Sequence, residues 1–132
     1  MDSEKLRSEV IAQGDTAFLA LAQQVGHLLE LAEFYFQRYP EEKSRIQQLE
    51  TAVATLGSVP YQLAEVIRRW KNDEPRVLDR LGVEVSLLNE LWITMEATAY
   101  FFNAQEISVD PYNQVKAYRA FQDLVRINRV IQ

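Results

Sequence analysis

The first part of the chain contains no proline before Pro40, and its apolar residues recur at the spacing of an α-helix. Two adjacent apolar stripes result, one at Leu6, Val10, Ala17, Leu21, Leu28, Leu31 and Tyr35 and the other at Phe18, Ala22, Val25, Leu29, Ala32 and Phe36. The pattern predicts one helix from about Ser3 to Arg38, because the residue before a proline is pushed out of the helical region. Such a helix spans about 50 Å, roughly twice the length of the segment that follows.

The other glycines and prolines divide the remainder into further helical segments. We predict helices over 40–56 with Gly57 as a left-handed stop, 59–71 after a Ser58 cap, 76–81 ending at Gly82, 83–105, and 111–131 after an Asp110 cap. For the last helix we predict an inner face of Val115, Tyr118, Phe121, Val125 and Ile131. No stretch alternates in the period of a strand for long. The chain is therefore predicted to be all-α, a single domain over 1–132 that forms a bundle of about five helices with a long N-terminal helix.

The residue types that most enzymes and metal sites need are scarce. The chain has no cysteine, which excludes disulfides, thiolate metal sites and cysteine nucleophiles. His27 is the only histidine, and with Glu30 and Glu33 it resembles half of a carboxylate metal site. A di-iron helical bundle needs a Glu-x-x-His pair on each of two helices. The four glycines are isolated, so there is no phosphate-binding loop. We predict a protein that is not an enzyme and has no catalytic residues, metal or cofactor.

Charge and hydropathy argue against membranes and nucleic acids. The most apolar window, 17–36, holds five polar residues and is a poor membrane span. The N-terminus mixes acids with bases, unlike a secretory signal, so we expect a cytoplasmic protein. Residues 1–66 hold 5 Lys+Arg against 10 Asp+Glu, and the second half is balanced at 9 against 9. This distribution offers no net attraction for a phosphate backbone.

A helix-turn-helix over 77–92 is one alternative, with Gly82 in the turn and Leu88 and Leu91 among the residues that this motif buries. Its second helix, however, contains Glu84 and Glu90, and no Lys or Arg occurs from 83 to 114. A recognition helix in the major groove normally carries the opposite charge. Salt-dependent retention on duplex DNA would identify this DNA-binding alternative.

Two runs of three consecutive aromatic residues, over 34–36 and 100–102, indicate a contact surface. Three successive helical positions fan across about 200°, so one core cannot easily bury all three. We predict a module that binds a protein partner, as an adaptor, regulator or assembly subunit. Its predicted surface comprises Phe34, Phe36, Tyr100 and Phe101, with Arg119, Arg126 and Arg129 as a polar rim.

The long first helix also suggests self-association. A segment much longer than its neighbours leaves part of an apolar stripe uncovered unless another copy covers it. We predict a homodimer with a two-fold contact through Leu6, Val10 and Ala17. A third alternative is a ligand-binding helical bundle whose aromatic residues line a pocket for a small molecule.

Overall fold

The computed structural model describes residues 3–71 and 81–131, which form four helices and no strand. The helices are α1 (Ser3–Arg38), α2 (Lys43–Lys71), α3 (Leu81–Ala104) and α4 (Pro111–Ile131). The all-α bundle is confirmed. The described residues contain four helices rather than about five.

The helices form a bundle in which each packs mainly on two neighbours. Helix α1 packs against α4 and α2, α3 packs against α2 and α4, and α1 meets α3 only across the diagonal. The connections 39–42 and 105–110 are short, as in bundles of antiparallel neighbours. The α1/α4 side and the α2/α3 side therefore lie on opposite sides of the bundle.

The first helix ends at Arg38 as predicted, but the second begins later than predicted, at Lys43. Pro40 lies in a turn that the Glu42 amide closes on the Tyr39 carbonyl at 3.1 Å. Proline suits the second position of such a turn because its φ is already fixed. The first helical bond then runs from the Ile46 amide to the Glu42 carbonyl, at 2.9 Å.

Helix α2 continues through Gly57, Ser58 and Pro60, so the prediction of two helices here is wrong. Gly57 does not adopt a left-handed conformation. The buried stripe carries on across the expected break through Leu56, Val59 and Leu63. Tertiary packing thus outweighs the local preference to stop. Helix α2 has 29 residues against 36 in α1, so α1 is not twice as long as the next helix.

The short helix predicted over 76–81 lies outside the described residues except for Leu81, where α3 begins. Helix α3 ends in a Schellman motif, in which the Ile107 amide donates to the Phe102 carbonyl at 2.8 Å. Glu106 takes the left-handed position of this motif, with φ 61°. Helix α4 begins as predicted, because the Asp110 carboxylate accepts a hydrogen bond from the Tyr112 amide at 2.9 Å.

The core lies along the bundle axis and includes the α1 stripe predicted from the sequence. Ala17, Leu21, Leu28 and Tyr35 are all buried. Among the largest fully buried side chains are Leu49, Leu56, Leu91, Met95, Phe102, Leu124 and Ile127.

The predicted inner face of α4 is wrong in register. Val115 is 52% exposed and Tyr118 42% exposed, while Phe121 and Val125 are half-buried against the core. The helix buries instead Ala117, Ala120, Leu124 and Ile127. Alanine lets α4 approach α1 closely, and Tyr118 lies at the edge, with its ring 5.0 Å from that of Trp92.

Candidate functional site

The two aromatic runs divide between the core and the surface, as their fan around a helix requires. Phe34 is 51% exposed and Tyr100 is 77% exposed. Tyr35 and Phe102 are buried, and Phe36 and Phe101 are half-buried against the core. Each run therefore leaves one aromatic side chain at the surface.

The runs meet through Tyr35 and Phe101 rather than through their exposed members. These two ring centroids are 5.3 Å apart with an interplanar angle of 74°, an edge-to-face contact. Phe101 also contacts Phe102 at 5.6 Å, and Tyr35 contacts Tyr39 at 5.0 Å. The contact between the runs stabilises the fold, so Phe101 serves the core as well as the surface.

Helix α3 presents an apolar outer surface, which we call the α3 ridge: Ile93, Ala97, Tyr100 and Ala104. Ile93 is 65% exposed, and it lies two helical turns, about 10.5 Å, from Tyr100. The opposite surface of α3 buries core residues such as Met95. Apolar residues therefore lie on both the inner and the outer surface of this helix, with Glu90 and Glu96 on the flanks between them.

Beside the ridge runs the α2/α3 groove, a cavity of about 250 Å³. It is lined by Gln48, Leu49, Thr51, Ala52, Thr55, Ile93, Thr94, Ala97, Thr98 and Phe101. None of these lining residues is charged. The Thr98 hydroxyl donates to the Thr94 carbonyl at 2.7 Å, so its proton is already bonded within the helix. An apolar side chain can enter this groove without removing water from a charge.

The opposite side of the bundle carries a larger depression, the α1/α4 groove, of about 550 Å³. It is lined by Ala12, Gln13, Thr16, Ala17, Ala20, Lys116, Arg119, Ala120, Asp123 and Arg126. Arg126 pairs with Asp123 at 3.3 Å, and both side chains are more than half exposed. Lys116 and Arg119 form no ion pair with any residue in the described part of the chain. The α4 wall is thus predominantly basic, whereas the lining residues from α1 are uncharged, and the floor is alanine.

The binding surface predicted from the sequence is split between these two sides. Tyr100 and Phe101 lie on the α2/α3 side, and Arg119 and Arg126 lie on the α1/α4 side. The arginines therefore do not rim the aromatic residues, which corrects that prediction. Neither groove is lined by Phe34 or Phe36. The side chain of Arg129 lies outside the described ones.

The predicted two-fold contact stays a prediction, because the structure describes the side chain of only one of its three residues. Ala17 is only 5% exposed and belongs to the core, so its own chain already covers its side chain. The side chains of Leu6 and Val10 lie outside the described ones. The exposed residues near Ala17 include Gln13 and Thr16 on α1 as well as the cations on the α4 wall of the α1/α4 groove.

Sequence reasoning missed Ile93 and the α2/α3 groove. A usable signal was present, because Ile93, Ala97, Tyr100 and Ala104 follow one another at steps of four, three and four residues. This spacing is that of a second apolar stripe on α3. The absence of Lys and Arg from 83 to 114 marks the same surface.

The described part of the segment 77–92 has a different local structure from the one that the helix-turn-helix alternative needs. Gly82, which that alternative needs in a turn, lies within α3. Leu88, Leu91 and Trp92 are buried in the bundle core by this one continuous helix. Residues 77–80 of the alternative fall outside the described residues.

Within residues 3–71 and 81–131 no group of three His, Asp or Glu side chains is placed to hold a metal ion. His27 has a buried Nε2 atom without a hydrogen-bond partner in the described structure. No helix in the same ranges is long and apolar enough to cross a membrane.

Comparison with known proteins finds no family model that matches the chain, and no curated protein or solved structure that is significantly similar to it. Function is therefore inferred from the side chains of the site alone.

Proposed function

We propose that the chain is a protein-binding module whose binding surface is the α3 ridge together with the α2/α3 groove. One observation carries the proposal: Ile93 and Tyr100 are largely exposed beside a groove without charged lining residues. Aromatic residues beside a pocket that excludes water are frequent anchors of protein interfaces.

The shape of the surface suits a partner helix laid along α3. Side chains of such a helix that repeat every three or four residues would lie between Ile93, Ala97 and Tyr100, as ridges fit into grooves. Ala52 and Ala97 keep the groove open for one larger side chain. Tyr100 would pack its ring on the partner with its hydroxyl at the wet edge.

Charge defines the kind of helix that fits. Glu90 and Glu96 are both exposed, and they lie three residues before and after Ile93, on opposite flanks of the ridge. No cation occurs on α3 or in the connection to α4. A partner helix with Lys or Arg beside its apolar stripe therefore complements the ridge, whereas an acidic one is repelled.

The test is a titration of the ¹⁵N-labelled protein with two designed peptides that share one apolar helical stripe. One peptide has Lys on its flanks and the other has Glu. We expect the Lys peptide to shift the resonances of Ile93, Ala97 and Tyr100, and to bind more weakly as salt is added. The Glu peptide should bind at least tenfold more weakly at low salt, a difference of about 1.4 kcal/mol.

Two variants localise the binding. Replacing both ridge anchors, Ile93→Ser with Tyr100→Ser, should abolish binding of the Lys peptide while the fold persists. The matched control is Tyr61→Ser, because Tyr61 is 80% exposed on α2 and lines neither groove. Equal binding of the two peptides, no binding of either, or shifts confined to other surfaces would contradict the proposed function.

A further inference from the structure

The opposite sides of the bundle have complementary charge. The α3 ridge is flanked by Glu90 and Glu96, and its helix has no cation. The described lining of the α1/α4 groove has Lys116, Arg119 and Arg126 against Asp123. The flanks of the ridge are thus acidic, and the α4 wall of the groove is basic.

The two sides also expose different side chains. The ridge exposes two large apolar side chains, Ile93 and Tyr100, at a depression of about 570 Å³ that Glu96 also lines. The α1/α4 groove, of about 550 Å³, has alanine on its floor, which leaves room for side chains of another molecule. Lys116 and Arg119 lie on its α4 wall, about 4.5 Å apart along the helix.

We infer that the partner seated on the α3 ridge is a second copy of this chain, which presents its α1/α4 groove. This inference rests on the proposed function and names the occupant of the same site. The acidic flank of the ridge that faces the α4 wall, at Glu90 or Glu96 of one copy, would pair with Lys116 and Arg119 of the next. These two cations have no ion pair within the described part of their own chain, so no existing pair has to break.

The geometry determines the kind of assembly. A ridge-to-groove contact joins two different surfaces, so each added copy still offers one free ridge and one free groove. Because these surfaces lie on opposite sides of the bundle, assembly proceeds beyond the dimer, into open chains or a closed ring. This differs from the two-fold homodimer predicted from the sequence, in which one surface meets itself.

The test is sedimentation velocity of the full chain over a wide concentration range at low and high salt. We expect the average mass to rise past the dimer with concentration at low salt and to fall as salt screens the ion pairs. A variant without the basic wall, Lys116→Glu with Arg119→Glu, should be monomeric. A variant without the ridge, Ile93→Ser with Tyr100→Ser, should also be monomeric.

Mixing these two variants gives the decisive result. The first keeps an intact ridge and the second an intact groove, so the mixture should form a one-to-one complex that grows no further. Arg38→Glu with Lys43→Glu makes the same change in net charge away from both grooves and should assemble like the unmodified chain, as should Tyr61→Ser. Circular dichroism confirms that each variant is folded.

Three outcomes would overturn the inference: an unmodified chain that is monomeric throughout, a dimer that never grows, or a mixture of variants that stays monomeric. A monomeric chain whose ridge still binds the Lys peptide would assign the ridge to a basic helix of another protein. That result overturns self-assembly and leaves the proposed function standing. A chain that fails both tests would refute both.

Discussion

The α1/α4 side and the α2/α3 side of the bundle are built from different residues. Where α1 meets α4, small side chains such as Ala17 and Ala120 are buried, and long cations form the walls. Where α2 meets α3, Leu49 and Phe101 line the groove, and its walls carry no charge. The comparison shows that two grooves of one bundle differ in charge, with a basic α4 wall over alanine in one and uncharged described lining residues in the other.

The difference also concerns what each side leaves exposed. On the α2/α3 side large apolar groups face solvent at Ile93 and Tyr100, whereas the α1/α4 groove exposes mainly cations above alanine. The acidic flanks of the ridge and the basic α4 wall are complementary in charge, as the proposed contact between copies expects.

The largest expected effect separates the core and the surface within one aromatic run. Phe102→Ala should lower the free energy of unfolding by about 3–5 kcal/mol, because Phe102 is fully buried and its loss leaves a cavity. Tyr100→Ala, two residues away, should change it by less than about 0.5 kcal/mol. Urea unfolding measures both. Similar losses for the two variants would show that Tyr100 belongs to the core and not to a free ridge.

The next effect tests the close packing of the α1/α4 side. Ala120→Leu should lower the free energy of unfolding by about 1–3 kcal/mol, since Ala120 is buried where α4 approaches α1. Ala97→Leu on the exposed ridge should change the free energy of unfolding by less than about 0.5 kcal/mol. It should instead weaken binding of the Lys peptide, because the larger side chain fills the α2/α3 groove. Equal losses of unfolding free energy for the two variants in chemical denaturation would show that α1 and α4 do not pack more closely at Ala120 than the ridge packs at Ala97.

A smaller effect tests whether α2 runs unbroken along the α2/α3 side. Gly57→Ala should raise the free energy of unfolding by about 0.5–1 kcal/mol, because Gly57 is helical and an added Cβ meets no atom within 4 Å. Thermal unfolding followed by circular dichroism detects the change. A glycine stop between two helices would give the opposite sign, since alanine is strained in the left-handed region.

The smallest effect concerns the ion pair between Asp123 and Arg126 on the wall of the α1/α4 groove. Asp123→Asn should change the free energy of unfolding by less than about 0.5 kcal/mol, because its pair with Arg126 is exposed. The same substitution makes the groove more basic and should strengthen assembly at low salt. Weaker assembly of this variant in sedimentation would contradict the charge complementarity.

The sequence predicts the strongly periodic parts of the fold well. The C-terminal end of α1 follows from Pro40, and the start of α4 follows from Asp110 and Pro111, because proline and capping residues act locally. The predicted break at Gly57 is wrong because buried residues on both sides of it hold the helix together. The local preference of glycine to end a helix yields to that packing.

The site was harder to predict than the fold. Tyr100 was recognised because consecutive aromatic residues cannot all be buried, which is a local argument. Ile93 was missed, and Arg119 was assigned to the wrong side, because both depend on which helix lies next to which. The inner face of α4 was shifted for a related reason: large apolar residues were preferred over the alanines that α1 actually contacts.

The most direct test of the central claim is a dilution series of the ¹⁵N-labelled chain at low salt. If the ridge of one copy occupies the groove of the next, both sides of the bundle must respond to concentration together. We expect the amide resonances of Ile93 and Tyr100 to shift with the same concentration midpoint as those of Ala20 and Arg119, while the Tyr61 resonance stays unchanged. Shifts confined to one side, or no shifts at any concentration, would contradict it.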